Sequence, residues 1–566
     1  MKEKDLIYKH TLANAYSHGG KATAGAVIGH VLGEKPELKK DIKKLQKEIA
    51  KTVKKVNSFK EKKQKQELEK IHPGFFEEES EEEQKELPEL KNAEKGKVVT
   101  RLPPEPNGHL HIGHAISFYF NHYYAKKYDG KLILRFEDTN PEHEEKQFYE
   151  SIVKDIEWLG LDYAERKNNS DDMELFYKYA EKLLNDGEVY ACTCPVDLMR
   201  DLRFKGEPCE CRSNTVEENL EIWEKMHTDM SEGSAVIRLK GNLEDTNAVM
   251  RDPTLFRIIE EPHPLQKDKY RVWPLYDFAN AVEDAECGIT HVLRSNEFLQ
   301  REPLQNKIRT LLGLKNPEMV SYSRINVEGT PTSKRKIKSM IEEGLIERWD
   351  DPRLATVKGL RRRGILSETI KELAHEVRMT SGSTTISWDQ IAGINSKFID
   401  EQADRYFFVP NPVELEVENV KKETAELKNH PDYPERGTRK IETKGKFYIP
   451  KSDADGFKKG EVFRLKDLYN VKYLGDGKAK FHSKEVIKDS AKIQWVTDNY
   501  YEAEILKPTI LLKDKGIKPE KLHSVHGYVE ESAKKLKEGD IVQFERFGFV
   551  KIERAEEKIA GILTHK

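Results

Sequence analysis

Hydrophobic positions change their period along the chain. Residues 6–32 carry small and apolar side chains in a loose helical pattern. In 39–70, Ile42, Leu45, Ile49, Val53 and Val56 recur three or four apart in a lysine-rich background, so one stripe of a helix can pack while the rest stays wet. The acidic run 77–86, ending near Pro88, reads as a solvated linker. Val98 and Val99 then open a short apolar run, 101–115 is rich in Pro and Gly, and Ile116, Tyr119, Phe120 and Tyr123 return at helical spacing, which predicts strand, turn, helix. Lys131–Phe136 alternates as a second strand, and 349–396 is helical in period. Beyond Gln402 the period becomes two, in short segments such as RYFFVP, GKFYIP, KIQWVTD and YYEAEIL, with turns at Asp476-Gly477 and Asp540. That predicts one or two antiparallel barrels.

Composition narrows the class. At 566 residues the chain is too long for one core. A net charge of -3 means that any nucleic-acid contact must come from local basic patches. No run of eighteen apolar residues and no signal-peptide pattern occurs, so the expectation is a soluble, cytoplasmic protein without a membrane partner. Four of the five cysteines, Cys192, Cys194, Cys209 and Cys211, form CxC, fourteen residues, CxC. Two such pairs can close a tetrahedral thiolate site, which suits zinc in a structural role because no position stays open. Free thiols in a hairpin, or two disulfides, are the alternatives. Cys287 stands apart and is assigned to core.

Candidate chemistry centres on 101–115, RLPPEPNGHLHIGHA. His111 and His114, three apart, project from one face of a first helical turn, and Gly113 between them leaves room for a planar ring. Helix-end amides and two imidazole donors there can face a phosphate and stabilise charge that develops on it. A capped helix with two exposed histidines is the plainer reading. In LRFEDTNP, Glu137 and Asp138 sit in a loop at a strand end, where doubly wound sheets collect ligands, or else cap the next helix. Tyr276 and Asn280, four apart, can share a helical face. SRINVEGTPTSKRKIKSMIEEG runs from a strand-like segment through a Gly/Pro loop into a helix expected to start near Ser339, leaving Lys334 on the loop.

PPEPNGHLHIGHA followed by LRFEDTNP resembles the HIGH signature of class I aminoacyl-tRNA synthetases, in their glutamyl/glutaminyl branch. Downstream, Thr332, Ser333, Lys334 and Arg335 resemble the KMSKS loop in its SKRK form. The resemblance covers roughly residues 95–566 and, with the barrels and the arginine of HVLRS, leans to archaeal glutamyl members. It implies a multidomain α/β plus all-β protein. Outside it, residues 1–95 read from their own pattern as a helical lysine-rich region and acidic linker, open to another protein partner; within it, 96–189 and 270–338 would be two halves of a Rossmann-type catalytic domain and 190–269 an insert for the tRNA acceptor end. A helical stem-contact domain would span 339–401, and anticodon-binding β-barrels 402–566.

The same resemblance assigns roles. His111, His114 and Lys334 would be catalytic. Pro104, Glu105, Asn107, Gly113, Ser295, Arg324, Ile325, Ser333, Lys334 and Arg335 would bind ATP with Mg2+. Arg101, Glu137, Tyr276, Asn280 and Arg294 would bind the amino acid, with Glu137 on its ammonium, Arg101 on a carboxylate, and Arg294 selecting a carboxylate side chain. Arg200, Arg203, Lys205 and Arg212 are candidates for acceptor phosphates or simply a solvated surface, and Arg436, Arg439, Trp495 and Tyr500 are candidates for anticodon bases, although the aromatics could equally fill barrel cores. The implied activity is ATP-dependent attachment of L-glutamate to tRNA(Glu) through glutamyl-adenylate, with tRNA(Gln) as a further acceptor left open. A glutaminyl enzyme, or a synthetase-like RNA-binding protein without chemistry, is the alternative.

Overall fold

The computed structural model describes residues 3–17, 20–35, 38, 42–72, 86–488, 490–512 and 522–566. They divide into two compact units, Met1–Glu86 and Leu87–Lys566. Of the acidic run 77–86 only Glu86 is among the described residues. Leu87 and Leu90 already belong to the core of the second unit, so the first closes before residue 95.

The first unit consists of helices Glu3–Ser17, Ala24–Glu34, Ile42–Asn57 and Glu61–Ile71. The expected stripe is the buried one. Leu45, Ile49 and Val56 pack with Leu6, Leu12, Val27, Val31 and Leu68, while Lys43, Lys44, Lys47, Lys51, Lys54 and Lys55 remain exposed.

In the second unit, Val99–Leu102, Lys131–Phe136 and Glu165–Asn168 form a parallel sheet in that spatial order, and His291–Ser295 pairs in parallel with Glu318–Tyr322. Thr290 joins the two. Its N–H donates to the Val99 carbonyl at 3.0 Å and its hydroxyl accepts from the Val99 N–H at 2.8 Å. The strands therefore run 165–168, 131–136, 99–102, 291–295, 318–322 across the molecule. Strand order reverses between 99–102 and 291–295, and a crevice opens beyond the carboxyl ends of strands at such a reversal. Helix Ile112–Lys127 crosses over from the first strand to the second, burying Ile112, Ile116, Phe120 and Tyr124 against Leu134 and Phe136.

Between the halves, Val189–Cys192, Val236–Leu239, Thr254–Ile258 and Val272–Pro274 make an antiparallel sheet over a core that includes Trp223, Phe256 and Trp273. Helices Val357–Arg363, Ser367–Val377 and Trp388–Ile399 follow the second half, and Thr384–Ile386 pairs with Ile325–Val327, tying them to it.

Two closed sheets complete the chain. In the first, Arg405–Tyr406 and Phe408–Pro410 occupy opposite edges of a seven-strand order although only Phe407 separates them, so the sheet must curl until its edges meet. In the second, Tyr448 on one edge strand bridges Val496, just past the other edge strand, and closes the ring likewise. Asp476 and Gly477 both take positive φ between Asn470–Gly475 and Lys478–Ser483, the two-residue hairpin that this dipeptide predicts. No helix among the described residues is long and apolar enough to cross a membrane.

Candidate active site

The turn after Val99–Leu102 places both histidines of the motif. His111 caps helix Ile112–Lys127 through Nδ1, which accepts from the Gly113 N–H at 3.1 Å, and the His111 N–H in turn reaches His114 Nδ1 at 3.3 Å. The rings stack with centroids 3.8 Å apart. Because each Nδ1 accepts, the single proton of each neutral ring sits on Nε2. Burial, reinforced by the positive charges of Lys334 and Arg324, lowers the His111 pKa to about 4, and burial with His111 and Lys334 drives His114 well below its usual value. Both are thus neutral Nε2–H donors near neutral pH. The helix-end amides do not serve as expected: the Ile112 N–H is taken by the Ala355 carbonyl at 2.8 Å and the Gly113 N–H by His111. Gly113 is needed for close approach. A Cβ there would lie 2.9 Å from His111 Cε1 and 3.3 Å from the Ile325 carbonyl oxygen.

Lys334 comes to the same corner. Its Nζ donates to Asn107 Oδ1, and its stem crosses Gly108. Helix Lys334–Glu342 begins at Lys334, five residues before the expected start at Ser339, so the lysine is in a first turn and not on a loop. Ile337 and Met340, buried at helical spacing, carry the helix back to that point. Burial lowers the Lys334 pKa, with Glu105 opposing and Lys338 adding to the effect.

Deeper in the crevice the charges are paired in layers. Asp284 accepts from Arg101 Nε at 3.1 Å and Arg135 Nη1 at 2.8 Å. Burial would raise its pKa, but Arg101, Arg135 and Arg309 outweigh burial and hold it below the ordinary value. Arg135 Nη2 donates to Asn280 Oδ1 at 2.9 Å and to Glu137 Oε1 at 3.3 Å. With its oxygen engaged, the Asn280 amide keeps Nδ2 as a donor. Burial raises the Glu137 pKa against the pull of Arg135 and Arg101. Arg294 makes no ion pair among the described residues; its Nη1 donates to Gln305 Oε1 at 2.9 Å. Arg101 Nη1, Arg294 Nη2 and Asn280 Nδ2 are buried donors without a partner among the described residues.

One cleft of about 740 Å³ joins these groups, a size suited to a small-molecule ligand. It is lined by Arg101, Pro104, Glu105, His111, Gly113, His114, Glu137, Tyr276, Asn280, Arg294, Ser295, Arg324, Ile325 and Lys334. Asn107 touches it through Lys334, whereas Ser333 and Arg335 are exposed and do not line it. Arg324 is held at the cleft by Glu297 at 2.7 Å. Arg135, Asp277, Asp284, Arg301 and Gln305, which organise the site, escaped the sequence reading. Arg135 carried a signal, since it alternates with Leu132 and Leu134 in the strand and stands two residues before Glu137 at its end.

The cysteines converge away from this cleft. Sγ atoms of Cys192 and Cys209 lie 3.8 Å apart and those of Cys194 and Cys211 3.7 Å, with all four within 4.8 Å of one another. Arg238 Nη1 approaches Cys209 Sγ at 3.6 Å. Cys287 is half-buried beside Ile133, Ile289 and Val292. Several basic and aromatic candidates turn out to be spent on structure. Arg203 donates to the Ala248 carbonyl and Arg212 to Asp252, while Arg200 and Lys205 stay exposed on helix Val196–Lys205, paired with Asp197 and Asp201 of the same helix. Arg439 is buried against Glu530, and Trp495 fills a barrel core with its Nε1–H on the Lys466 carbonyl, since a ring without solvent access must pack. Tyr500 stacks on Tyr528 at 3.7 Å, and Arg436 pairs with Asp404.

Residues 97–401 match a family model described as tRNA synthetases class I (E and Q), catalytic domain. Residues 403–492 and 492–553 match two models of the anti-codon binding domain of the same class. Among curated proteins, the Glutamate–tRNA ligases of Pyrococcus abyssi and Pyrococcus furiosus are 46% and 44% identical over 100% of this chain and 100% of their own. That of Nitrosopumilus maritimus is 40% identical over 100% of this chain and 99% of its own. A crystal structure of Glutamate-tRNA Synthetase from Elizabethkingia anophelis aligns at a TM-score of 0.41 and 20% identity, over 54% of this chain and 72% of that one. The chain belongs to the class I tRNA synthetases of the E and Q type, in one family with the archaeal glutamate–tRNA ligases.

Proposed function

We propose that the protein attaches L-glutamate to tRNA(Glu) at the expense of ATP, in two steps within the one cleft. The observation that carries this reading is that Arg101, Arg294 and Asn280 each hold a buried donor without a partner among the described residues, in the same cavity that His111, His114 and Lys334 line. Glutamate brings two carboxylates for such donors and an ammonium for Glu137, the residue types that suit an amino acid with an acidic side chain.

In the first step the α-carboxylate attacks the α-phosphorus of ATP, a P–O bond forms, and pyrophosphate leaves. The Nε2–H groups of His111 and His114 and the Lys334 ammonium stabilise charge that grows on the phosphate oxygens during displacement. Pro104, Glu105, Asn107, Gly113, Ser295, Arg324 and Ile325 form the nucleotide wall. Ser333 and Arg335 join it only when the start of helix Lys334–Glu342 shifts toward bound ATP. In the second step a ribose hydroxyl of the tRNA 3′ end takes the acyl group and AMP leaves. Neither step needs a protein nucleophile, so positioning and electrostatics carry the rate. Magnesium would come with the triphosphate as its counter-ion.

Cys192, Cys194, Cys209 and Cys211 would hold a structural zinc. Thiolates about 2.3 Å from a tetrahedral zinc stand about 3.8 Å from one another, which agrees with the 3.7 and 3.8 Å separations of the two close pairs. Bound there, zinc would lock the 190–212 hairpin and leave no position for substrate. The insert 190–269 is proposed to take the acceptor end through exposed Arg200 and Lys205, the helices of 339–401 the stem, and the barrels of 402–566 the anticodon. That residues 1–95 serve as a site for another protein rests on the sequence alone.

A charging assay with tRNA(Glu) and tRNA(Gln), each offered glutamate or glutamine, tests the reading. Glutamate on tRNA(Glu) is the expected product, with glutamate on tRNA(Gln) a second measured outcome. Preferential use of glutamine would overturn it.

A further inference from the structure

Behind Arg294 lies a relay of four side chains. Arg294 Nη1 donates to Gln305 Oε1 at 2.9 Å, Gln305 Nε2 donates to Asp277 Oδ1 at 3.1 Å, and Arg301 Nη1 donates to Asp277 Oδ2 at 2.5 Å. Arg294, Gln305 and Asp277 are buried, with Gln305 fully so. Two arginines thus face one carboxylate, and the neutral amide decides which of them the carboxylate neutralises. Gln305 fills the place next to Arg294 with an oxygen that carries no net charge, and Arg301 takes the acid directly. In a low-dielectric wall, a carboxylate in contact with Arg294 would compete with any ligand carboxylate for the same guanidinium. An amide satisfies the Nη1–H and leaves the charge, together with the unpartnered Nη2, for the cleft.

We infer that Gln305 is the specificity-determining spacer of the site: it keeps Asp277 off Arg294 and so preserves an uncompensated guanidinium for an acidic ligand side chain. The inference rests on the reading of the cleft as a glutamate site. It explains why a buried arginine can stand in this wall with an acid only one side chain away. The orientation of the relay is forced, because Arg294 has no acceptor to offer and Gln305 must therefore turn its oxygen toward it and its NH2 toward Asp277.

Two variants of the full-length protein test it by steady-state charging of tRNA(Glu), with glutamate and glutamine compared under saturating ATP. Gln305→Glu places a carboxylate on Arg294. Its kcat/KM for glutamate is expected to fall on the order of 100-fold, its glutamate-to-glutamine ratio to fall at least about tenfold, and its KM for ATP to change by less than about threefold. Gln305→Met keeps length and neutrality. It is expected to lose some kcat/KM for both amino acids while holding the ratio within about threefold of wild type. Loss of the ratio in Gln305→Met, whose Arg294 charge is untouched, would overturn the spacer role, as would an unchanged ratio in an active Gln305→Glu. Should Gln305→Glu not fold, the methionine variant decides alone. Wild-type protein that does not charge glutamate at all would instead remove the functional reading, so the two failures are distinct.

Discussion

The stem of Lys334 lies across Gly108: a Cβ built on that glycine would stand 2.8 Å from Lys334 Cδ and 3.1 Å from its Cε. Two sequence motifs more than two hundred residues apart therefore meet at one glycine, and the absence of its side chain sets where the ammonium sits.

Gly108→Ala is expected to displace Lys334 and to lower ATP–pyrophosphate exchange with tRNA present by about 10- to 100-fold, the loss typical of a charged group moved by about an ångström. Gly108 is not in the left-handed region, so thermal stability should change little. A variant with wild-type exchange would show that the position of Lys334 does not limit the first step.

The Asn280 amide is oriented by Arg135, which occupies its oxygen and leaves its NH2 as a donor. Asn280→Asp keeps the acceptor for Arg135 and turns that donor into a negative oxygen. The KM for glutamate is expected to rise on the order of 100-fold with the KM for ATP nearly unchanged. Equal losses for both substrates would place Asn280 outside the amino-acid pocket.

Zinc content gives a third check. Metal analysis of the purified protein is expected to find one zinc per chain. Cys194→Ser should lose it and show faster amide exchange through 189–212, where the cysteines stitch strand Val189–Cys192 to the following turn. Zinc-free wild type with unchanged exchange in Cys194→Ser would refute the metal site.

His111 supplies a pH test. Its pKa is about 4 in the fold, against 6.5 as the ordinary value, with burial the main cause and Lys334 and Arg324 adding to it. Between those values the unfolded chain binds more protons than the folded one, so the stability tied to this ring is complete above about pH 6.5 and is lost as pH falls through about 4. His111→Asn keeps a capping side chain but removes the titration. Wild-type melting temperature should fall more steeply than that of His111→Asn between about pH 6.5 and 4. Parallel curves would show that His111 does not carry the shift.

Much of the cleft is legible in the sequence because its residues belong to contiguous motifs whose spacing is set by local geometry. His111 and His114 share a helical face, and Tyr276 and Asn280 both line the cavity from helix Tyr276–Glu286. What stayed hidden depends on partners far apart in the chain. Gln305 is an ordinary helical glutamine until Arg294 and Asp277 are brought to either side of it. The period of the short alternating segments does not say whether Trp495 or Arg439 faces in: closure through the Tyr448–Val496 bridge leaves Trp495 in a core, while Arg439, on the hairpin strand Thr438–Thr443, is drawn in by Glu530 far along the chain. Gly329 and Pro331 mark a loop whose end the sequence alone does not fix, and the helix that follows begins at Lys334 itself.

The most direct measurement is the binding of a non-hydrolysable glutamyl-adenylate analogue, one molecule carrying both the nucleotide and the amino-acid moiety, followed by calorimetry. One site per chain is expected, with affinity weakened on the order of 100-fold by Lys334→Ala and, independently, by Arg294→Ala, since a single ligand would touch both ends of the cleft. An analogue whose affinity is indifferent to either substitution would contradict the placement of both motifs around one substrate.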